Sequence, residues 1–546
     1  MASSFRSIAC VIVALSVSAC GERTLKETAA DLALAQRLAL PPEESRVDRD
    51  LWNSVRVAYR RNGGAMLWLD ESGPRPQAAA LAATLANAAS DGLDPMQYEV
   101  PPFESIARDD GGLFEVERYL PASAADADVR MTTAAVRYMR DLRGRVAPGG
   151  GVAATWFGTK HRVSVGKLVQ RAAHARDVES ALRRTAPRHP QYERQRGALA
   201  RLRLLASHGG WPSVPASAVV RASAKNPDLA PFRARLAASA HYVAPADPSL
   251  ERDALTLGVR RFQLEHGLAD DGVPGKATVD AMNVPIEHRI RQIEVNLERM
   301  RWLPDDLGDT HVLVNVPTFH LEAIEDGERA LAMRVITGKR GTPTPIFSDT
   351  METLVFSPYW NVPPSIQRGE VLPKLREDPE YLARENMELL VDGASVDPWF
   401  ADLSDPSIRI RQRPGAGNAL GHVKFLFPNP HNVYLHDTPA DALFAKPARG
   451  FSHGCIRVEK PDELARWVLR DDARWTDQTI EQAMHSGRER HVALAESIPV
   501  HVVYFTTWVG DDGAVRFHHD LYGHDARHAA AIPSGAGVAS ATIAAR

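Results

Sequence analysis

The chain has 546 residues, of which 44% are hydrophobic and 24% are charged, so it can bury large cores and should fold as two to four domains. Its 65 Lys and Arg side chains nearly balance its 68 Asp and Glu side chains, which leaves a net charge of −3. Because nucleic-acid binding requires a basic surface, this balance argues against a nucleic-acid partner.

The first residues have the layout of an export signal. Arg6 precedes an apolar run over 8–17 that is too short to span a bilayer, and small residues follow it. We therefore predict a signal peptide over residues 1–19. The text VSAC, ending at Cys20, resembles a bacterial lipobox, in which Cys20 would be lipidated and tether the protein to a membrane. Simple cleavage after Ala19 is the alternative.

The chain has three cysteines, and export would leave one free thiol. Cys10 lies in the segment that would be removed, and Cys20 is the predicted lipid site. Exported proteins normally pair their cysteines, so a lone Cys455 cannot form a structural disulfide and is a candidate reactive thiol. The alternative is a small buried hydrophobic side chain, which is what most unpaired cysteines are.

Residues 20–248 are predicted to form a helical scaffold domain followed by a linker. Ala, Leu and Arg recur there at three- and four-residue spacing, as in ALAATLANAASDGL, which is typical of helices. The segment 209–248 is rich in proline and small residues and reads as the linker.

A short helix, loop, helix pattern follows over 255–285, and Asp271-Gly272 and Pro274-Gly275 mark its loop. The stretch VRRFQLEHGLADDGVPGKAT resembles the small peptidoglycan-binding module of many wall enzymes. That resemblance implies a module over 250–287 with glycan as its partner. The alternative is a helical hairpin that only bridges two domains.

From residue 308 the periodicity changes to that of strands. THVLVNVPTFHLEAIEDG and RALAMRVITG alternate apolar and polar residues between turn residues, which predicts a β-rich domain over 308–510. A more polar, helical stretch over 371–421 looks like an inserted lid. Residues 528–546 are rich in small residues and are predicted to be a disordered tail. The predicted fold class is thus α+β and multidomain: a helical scaffold, a small helical module and a β-rich domain with a lid.

The strongest motif is VYLHDTPADALFAKPARGFSHGCIRVEK, in which fifteen residues separate His436 from Ser452. It resembles the signature of the L,D-transpeptidase family, also called the YkuD-like domain, in which a histidine precedes Ser-His-Gly-Cys at about this spacing. The likeness extends through TGKRGTPTPIF and SPYWNVPPSI. The subgroup that it indicates is the large, scaffold-bearing kind found in the periplasm of Gram-negative bacteria.

The chemistry of the motif can be derived from its side chains. Splitting an amide needs a good nucleophile, and Cys455 supplies one if an imidazole takes its proton or holds it as an ion pair. His436 is the candidate base, held by a backbone carbonyl because the side chain of Asp437 should point to the opposite face. The backbone N–H of Cys455, with that of Gly454 or His453, would stabilise the oxyanion.

Other residues are assigned to the substrate side of the site. His453 either handles a proton or only lines the pocket. Arg457 either binds a substrate carboxylate or pairs with Glu459. Ser452 is assigned to the oxyanion and substrate-binding group. Trp360 and Tyr434 would line the donor site, although aromatic residues in strands more often belong to the core.

The resemblance implies a two-step reaction on peptidoglycan stem peptides. Cys455 would attack the third stem residue, expel the terminal D-alanine and form a thioester, which the amine of a neighbouring stem would resolve into a 3→3 cross-link. Water as acceptor would make the enzyme an L,D-carboxypeptidase, and the acceptor is left open. The family implies a monomer without metal or organic cofactor that carbapenems acylate.

Two rival classes remain at this point. A zinc peptidase could use His436 with His453, or the pair His518-His519, but the sequence has no HExxH motif and no second cysteine near Cys455. A wall-binding protein with an inactive catalytic domain is the other rival, and the complete set of motif residues argues against it.

Overall fold

The computed structural model describes residues 28–39, 49–70, 72–109, 118–144, 156, 163–221 and 228–532. The predicted signal peptide, Cys20 and most of the predicted tail lie outside these residues. Within the described part of the chain, no helix is both long enough and apolar enough to cross a bilayer. The predicted α+β multidomain class, with scaffold, module and β-rich domain, is confirmed.

The first part of the chain is helical with two short hairpins. Its elements are α1 (Ala29–Ala39), α2 (Arg49–Arg61), β1 (Leu69–Asp70), β2 (Gly73–Pro74), α3 (Pro76–Ala86), β3 (Arg108–Asp109), β4 (Arg118–Tyr119), α4 (Pro121–Asp141), α5 (Val165–Ala172), α6 (Val178–Leu182) and α7 (Pro190–Ser207). The fully buried carboxylate of Asp128 in α4 accepts hydrogen bonds from Tyr59 Oη and from the backbone of 67–69. This carboxylate ties α2 and the first hairpin to α4, because each polar group needs a partner inside the core.

The module contains α8 (Arg233–Ala238), α9 (Glu251–Glu265) and α10 (Lys276–Met282). Its core joins Phe232 and Leu236 to Val259, Phe262 and Met282. The predicted linker is therefore wrong over its second half, since these residues of the 209–248 segment belong to the core of the module. The prolines and small residues of the segment concealed its apolar positions.

Helix α11 (Ile286–Trp302) joins the module to the β-rich domain, and nearly all of it is buried. Ile290, Ile293 and Leu297 pack in one core with Val312 and Val314 of the sheet. The helix also contacts α7 of the scaffold. Its many charged residues hid this central position in the sequence.

The β-rich domain is built on nine strands: β5 (His311–Asn315), β6 (His320–Glu325), β7 (Glu328–Gly338), β8 (Phe347–Phe356), β13 (Val423–Leu426), β14 (Leu435–His436), β15 (Gly450–Ser452), β16 (Ile456–Val458) and β17 (Arg490–Val503). The order is β15-β7-β16-β14-β13-β8-β17-β5-β6, and β6 also pairs with β7, so the sheet closes on itself. Helices α15 (Pro461–Val468) and α16 (Asp477–Met484) cover it, the hairpin β18 (Thr507–Val509) and β19 (Val515–Phe517) follows, and α17 (His524–Ala531) packs on α11. The disorder predicted from residue 528 therefore does not hold for 528–532.

The lid is a mixed insertion with its own core. It comprises β9 (Trp360–Asn361), α12 (Pro364–Ile366), a π-helical turn (Gln367–Val371), α13 (Leu372–Glu377), α14 (Tyr381–Arg384), β10 (Met387–Val391), β11 (Ala394–Val396) and β12 (Arg409–Gln412). These strands form a four-stranded sheet in the order β11-β10-β12-β9. The lid thus begins earlier than residue 371 and is not mainly helical, because a cluster that includes Leu375, Leu389 and Ile410 holds its sheet and helices together.

A buried ionic network centred on Asp91 joins the scaffold to α11. Asp91 is 1% exposed, its Oδ1 lies 2.8 Å from Arg196 Nε, and its Oδ2 accepts a hydrogen bond from Tyr138. Its carbonyl oxygen accepts a hydrogen bond from the guanidinium of Arg301 in α11. A buried charge of this kind needs all of its partners, because an unpaired ion in the core is costly.

We expect Asp91→Ala to lower the free energy of unfolding by about 3 kcal/mol, the lower end of the range for breaking a buried pair, because Glu193 still pairs with Arg196. Urea unfolding followed by tryptophan fluorescence measures the loss. The matched control is Asp511→Ala, which removes an exposed partner of Arg194 and should cost at most about 1 kcal/mol. Equal losses in the two variants would contradict the role of the network.

Candidate active site

The parallel pairing of β14 with β16 brings the two halves of the motif together. Leu435 lies opposite Ile456, and His436 lies opposite Arg457. Leu435 and Ile456 are fully buried and therefore mark the core face of the sheet. Since side chains alternate along a strand and paired residues share a face, His436 and Arg457 lie on the other face.

Cys455 lies in the bend directly before β16, and its thiol is close to Tyr434 and Arg457. It is partly buried and unpaired, and its Sγ lies 3.8 Å from the carbonyl oxygen of Asn432. Tyr434, two residues before His436, forms hydrogen bonds to Cys455 through its backbone and its side chain. The structure thus brings together Cys455, His436, Tyr434 and Arg457. No hydrogen bond between Cys455 and His436 occurs among the described residues, and their neighbourhood follows from the strand register.

A backbone carbonyl orients His436, as the sequence predicts. The ring is buried, and its Nδ1 lies 2.5 Å from the carbonyl oxygen of Asp437. The Asp437 carboxylate faces away and accepts hydrogen bonds from the backbone of His422 and Thr438. If Nδ1–H donates to the carbonyl, Nε2 carries the lone pair that a general base requires.

Burial favours the neutral forms of both groups. Burial first, and then the positive charge of Arg457, together lower the pKa of His436 to about 3. Burial also raises the pKa of the Cys455 thiol, although hydrogen bonds from Tyr434 and the charge of Arg457 oppose the rise. Of the two arrangements that the sequence left open, the structure therefore favours a neutral thiol beside a neutral imidazole over a resting ion pair.

The turn that leads to Cys455 is held by hydrogen bonds of its own Ser452. Ser452 Oγ donates to the carbonyl oxygen of Cys455 at 2.5 Å and accepts the N–H of Gly454 at 3.1 Å. Gly454 has φ +122°, a conformation that side chains disfavour. The Ser452 hydroxyl and the Gly454 amide are thus engaged within the turn, which leaves the amides of Cys455 and His453 as candidate oxyanion donors.

The loop after β7 clamps this turn from outside. The backbone N–H of Lys339 and the hydroxyl of Thr342 both donate to the carbonyl oxygen of Ser452, at 3.0 and 3.1 Å. Thr344 Oγ1 donates to the carbonyl oxygen of Gly454 at 2.8 Å. The sequence points to this loop only through the family resemblance, because no local pattern predicts that its threonines contact the motif.

His453 faces the lid. Its Nε2 lies 2.8 Å from Glu370 Oε1 of the π-helical turn and 3.3 Å from Lys339 Nζ. Sequence reasoning missed both partners, since they precede His453 by many residues and belong to separate loops. A glutamate in an irregular helical turn gives no signal of its own.

Arg457 does not pair with Glu459, the acid that the sequence offered as its partner. Glu459, the predicted rival partner, instead pairs with Arg334 and accepts the backbone N–H of that residue at 3.0 Å. Among the described residues, Arg457 has no ion-pair partner, and its Nε has no hydrogen-bond partner. An acid from outside the chain can therefore pair with it.

Trp360 is not brought to this group. It lies in β9, opposite Gln412, and packs against the core of the lid. Among the residues that the structure describes, no hydrogen bond or ring contact joins Trp360 to Cys455 or His436. Within the same residues, no three His, Cys, Asp or Glu side chains come together in a way that could hold a metal ion.

The neutral state of the thiol predicts its reactivity. We expect the rate of iodoacetamide alkylation at Cys455, followed by peptide mass spectrometry, to keep rising with pH beyond the ordinary thiol pKa of about 8.5. The reason is that burial raises the pKa of the thiol, so the thiolate fraction grows only at high pH. A rate that stays level from mildly acidic to alkaline pH would instead indicate a resting ion pair.

Comparison with known proteins identifies three domains in the chain. Residues 309–489 match the family model "L,D-transpeptidase catalytic domain", residues 53–199 match "Scaffold domain", and residues 226–282 match "Putative peptidoglycan binding domain". The last match begins before residue 250, as does the structural core of the module.

A curated protein of Haemophilus influenzae described as "Putative L,D-transpeptidase" is 34% identical over 241 residues, which cover 43% of this chain and 48% of that protein. The chain thus spans about half the length of the curated relative. The solved L,D-transpeptidase from Mycobacterium smegmatis is 18% identical over 36% of this chain and 58% of its own, with a TM-score of 0.17. L,D-transpeptidase 3 from Mycobacterium tuberculosis is 16% identical over 36% of this chain and 60% of its own, with a TM-score of 0.19. These TM-scores are too low to establish a shared fold. On the family matches, the chain carries a YkuD-type L,D-transpeptidase catalytic domain together with a peptidoglycan-binding domain and a scaffold domain.

Proposed function

We propose that this protein is an L,D-transpeptidase that forms 3→3 cross-links in peptidoglycan through a thioester on Cys455. The observation that carries the proposal is the parallel pairing of β14 with β16, which sets His436 beside Arg457, while Cys455 directly precedes β16 with its thiol close to Arg457. A nucleophile, a base and a free cation are the groups that acyl transfer from a carboxylate-bearing peptide requires.

In the first step, Cys455 Sγ attacks the carbonyl carbon of the third stem residue while the thiol proton passes to His436 Nε2. The amides of Cys455 and His453 stabilise the oxyanion, and one such donor is worth roughly 2.7 to 4 kcal/mol in hydrolases. The C–N bond then breaks, and His436 returns the proton to the departing amine of D-alanine. Burial lowers the pKa of His436, so the imidazole is unprotonated at neutral pH, which is the form that a general base needs before the attack.

Arg457 binds a carboxylate of the donor stem in this proposal. The diaminopimelate and D-alanine residues of a tetrapeptide both carry a free carboxylate, and a guanidinium can bind either through two parallel hydrogen bonds. Burial lowers the pKa of Arg457, because desolvation disfavours the charged guanidinium. A bound carboxylate would offset this cost.

The second step transfers the acyl group to an acceptor. The side-chain amine of a neighbouring stem attacks the thioester carbonyl, the C–S bond breaks, and the Cys455 thiol is regenerated. Water in place of the amine gives the carboxypeptidase reaction. No step in this scheme needs a metal or organic cofactor. A strained β-lactam should acylate the same sulfur, so we include carbapenems among the expected inhibitors.

The proposal extends to the place of action. An enzyme that acts on the wall must be exported, and residues 1–19 have the pattern of an export signal. We place the protein in the periplasm of a Gram-negative bacterium as a monomer, with lipidation of Cys20 as its link to a membrane. The module would hold glycan while the β-rich domain acts on the stems.

The test uses the full chain with purified disaccharide tetrapeptide, and mass spectrometry follows the products. We expect the wild-type protein to release D-alanine and form a cross-linked dimer. Cys455→Ala should abolish both products because no nucleophile remains, yet it should still bind sacculi in a pelleting assay. Unchanged turnover by Cys455→Ala would refute the proposal, and tripeptide without dimer would identify a carboxypeptidase.

A further inference from the structure

Glu370 of the lid contacts His453, which lies in the turn before Cys455. Its Oε1 lies 2.8 Å from His453 Nε2, and about half of its side chain is exposed. The core of the lid fixes the turn that carries it: Gln367 donates to the carbonyl oxygen of Ile408 at 3.1 Å and accepts the N–H of Ile410 at 3.2 Å. Glu370 therefore stands at the site because the fold of the lid places it there.

The same Nε2 nitrogen of His453 also lies close to an ammonium group. Lys339 Nζ lies 3.3 Å from Nε2, on the loop that clamps the nucleophile turn. One nitrogen cannot serve both partners in one protonation state, since Nε2–H donates to the carboxylate and only unprotonated Nε2 accepts from the ammonium. A carboxylate and an imidazole thus lie beside the ammonium of Lys339, which shows that a primary ammonium group can be accommodated at this place.

The two sides of Cys455 differ in charge, because a carboxylate accompanies the Lys339 ammonium on the His453 side, whereas no carboxylate pairs with Arg457 among the described residues. Arg457, two residues after Cys455, offers a cation, whereas His453, two residues before it, is paired with the anion of Glu370. A free carboxylate beside the site would repel the carboxylates of a donor stem and attract an amine. The lid side is therefore suited to an acceptor and the Arg457 side to a donor.

We propose that Glu370 selects the acceptor of the reaction: its carboxylate binds the ammonium of a primary amine, and with His453 it receives the first proton from that ammonium. The inference rests on the proposed function and adds the residue that binds the amine acceptor and favours it over water. Glu370 is thereby a substrate-binding residue of the second half of the reaction, contributed by the lid.

The step balances as follows. The ammonium loses one proton to the Glu370–His453 pair, and the resulting amine nitrogen forms a bond to the thioester carbonyl carbon. The C–S bond breaks, the sulfur takes up the electron pair, and the second amine proton passes through His436 to the Cys455 sulfur. The product is an amide, the thiol is restored, and the first proton leaves from His453 to solvent.

The experiment measures how one thioester partitions. The full-length protein is incubated with disaccharide tetrapeptide, which serves as donor and acceptor, and the ratio of cross-linked dimer to hydrolysed tripeptide is determined by mass spectrometry. Because both products come from the same thioester, the ratio does not depend on the rate of acylation. We expect Glu370→Gln to lower it about 10- to 100-fold, the range for losing a hydrogen bond to a charged group.

Two variants make the result specific. Glu370→Asp keeps the carboxylate and should recover part of the ratio that Glu370→Gln loses. Glu377→Gln removes an exposed lid carboxylate at the end of α13 and should leave the ratio as in the wild type. An unchanged ratio in Glu370→Gln, or an equal fall in Glu377→Gln, would overturn the inference. Absence of D-alanine release by the wild-type protein would instead overturn the proposed function.

Discussion

The parallel pairing of β14 with β16 is the constraint on which the site depends. It aligns His436 with Arg457, and it brings Tyr434 and Cys455, the residues directly before the two strands, within hydrogen-bonding distance of each other. Strand β16 is in turn fixed by antiparallel pairing with β7, and the loop after β7 clamps the turn before Cys455. A shift of one residue in this register would send the nucleophile to the core face, because side chains alternate along a strand.

Burial then decides the chemistry of the pair. The sheet that aligns His436 also buries it, which lowers its pKa to about 3, and the same surroundings raise the pKa of Cys455. An ion pair at rest would carry two poorly solvated charges, whereas the neutral pair carries none. In the proposed mechanism, charge separation is deferred to the attack on substrate, where the oxyanion donors and Arg457 would stabilise the negative charge that develops.

The sequence predicted what local pattern and motif spacing determine. Strand alternation revealed the β-rich domain, and the spacing of His436 from Ser452 indicated the cysteine chemistry. The orientation of His436 by a backbone carbonyl followed from alternation alone and is present in the structure. The family resemblance is confirmed by the matches to the catalytic and peptidoglycan-binding domains.

Features made by long-range contacts were missed. The engagement of Ser452 and Gly454 within the turn, the four-stranded sheet of the lid and the contact of Glu370 with His453 all depend on segments that only the fold brings together. Helix α11 was overlooked because its arginines and glutamates read as a solvated face, although Arg301 and Glu298 pair with each other inside the core. The start of the module was misplaced for a related reason, since Phe232 and Leu236 lie in a stretch dominated by small residues.

A crystal structure of the protein acylated by meropenem tests the central claim most directly. The account predicts electron density continuous from Cys455 Sγ to the opened lactam, with His436 Nε2 within about 4 Å of the sulfur, the reach of a hydrogen bond to sulfur. It also predicts the acyl oxygen facing the amides of Cys455 and His453. A sulfur that stays unmodified and sealed in the core, or an imidazole turned away from it, would contradict the account.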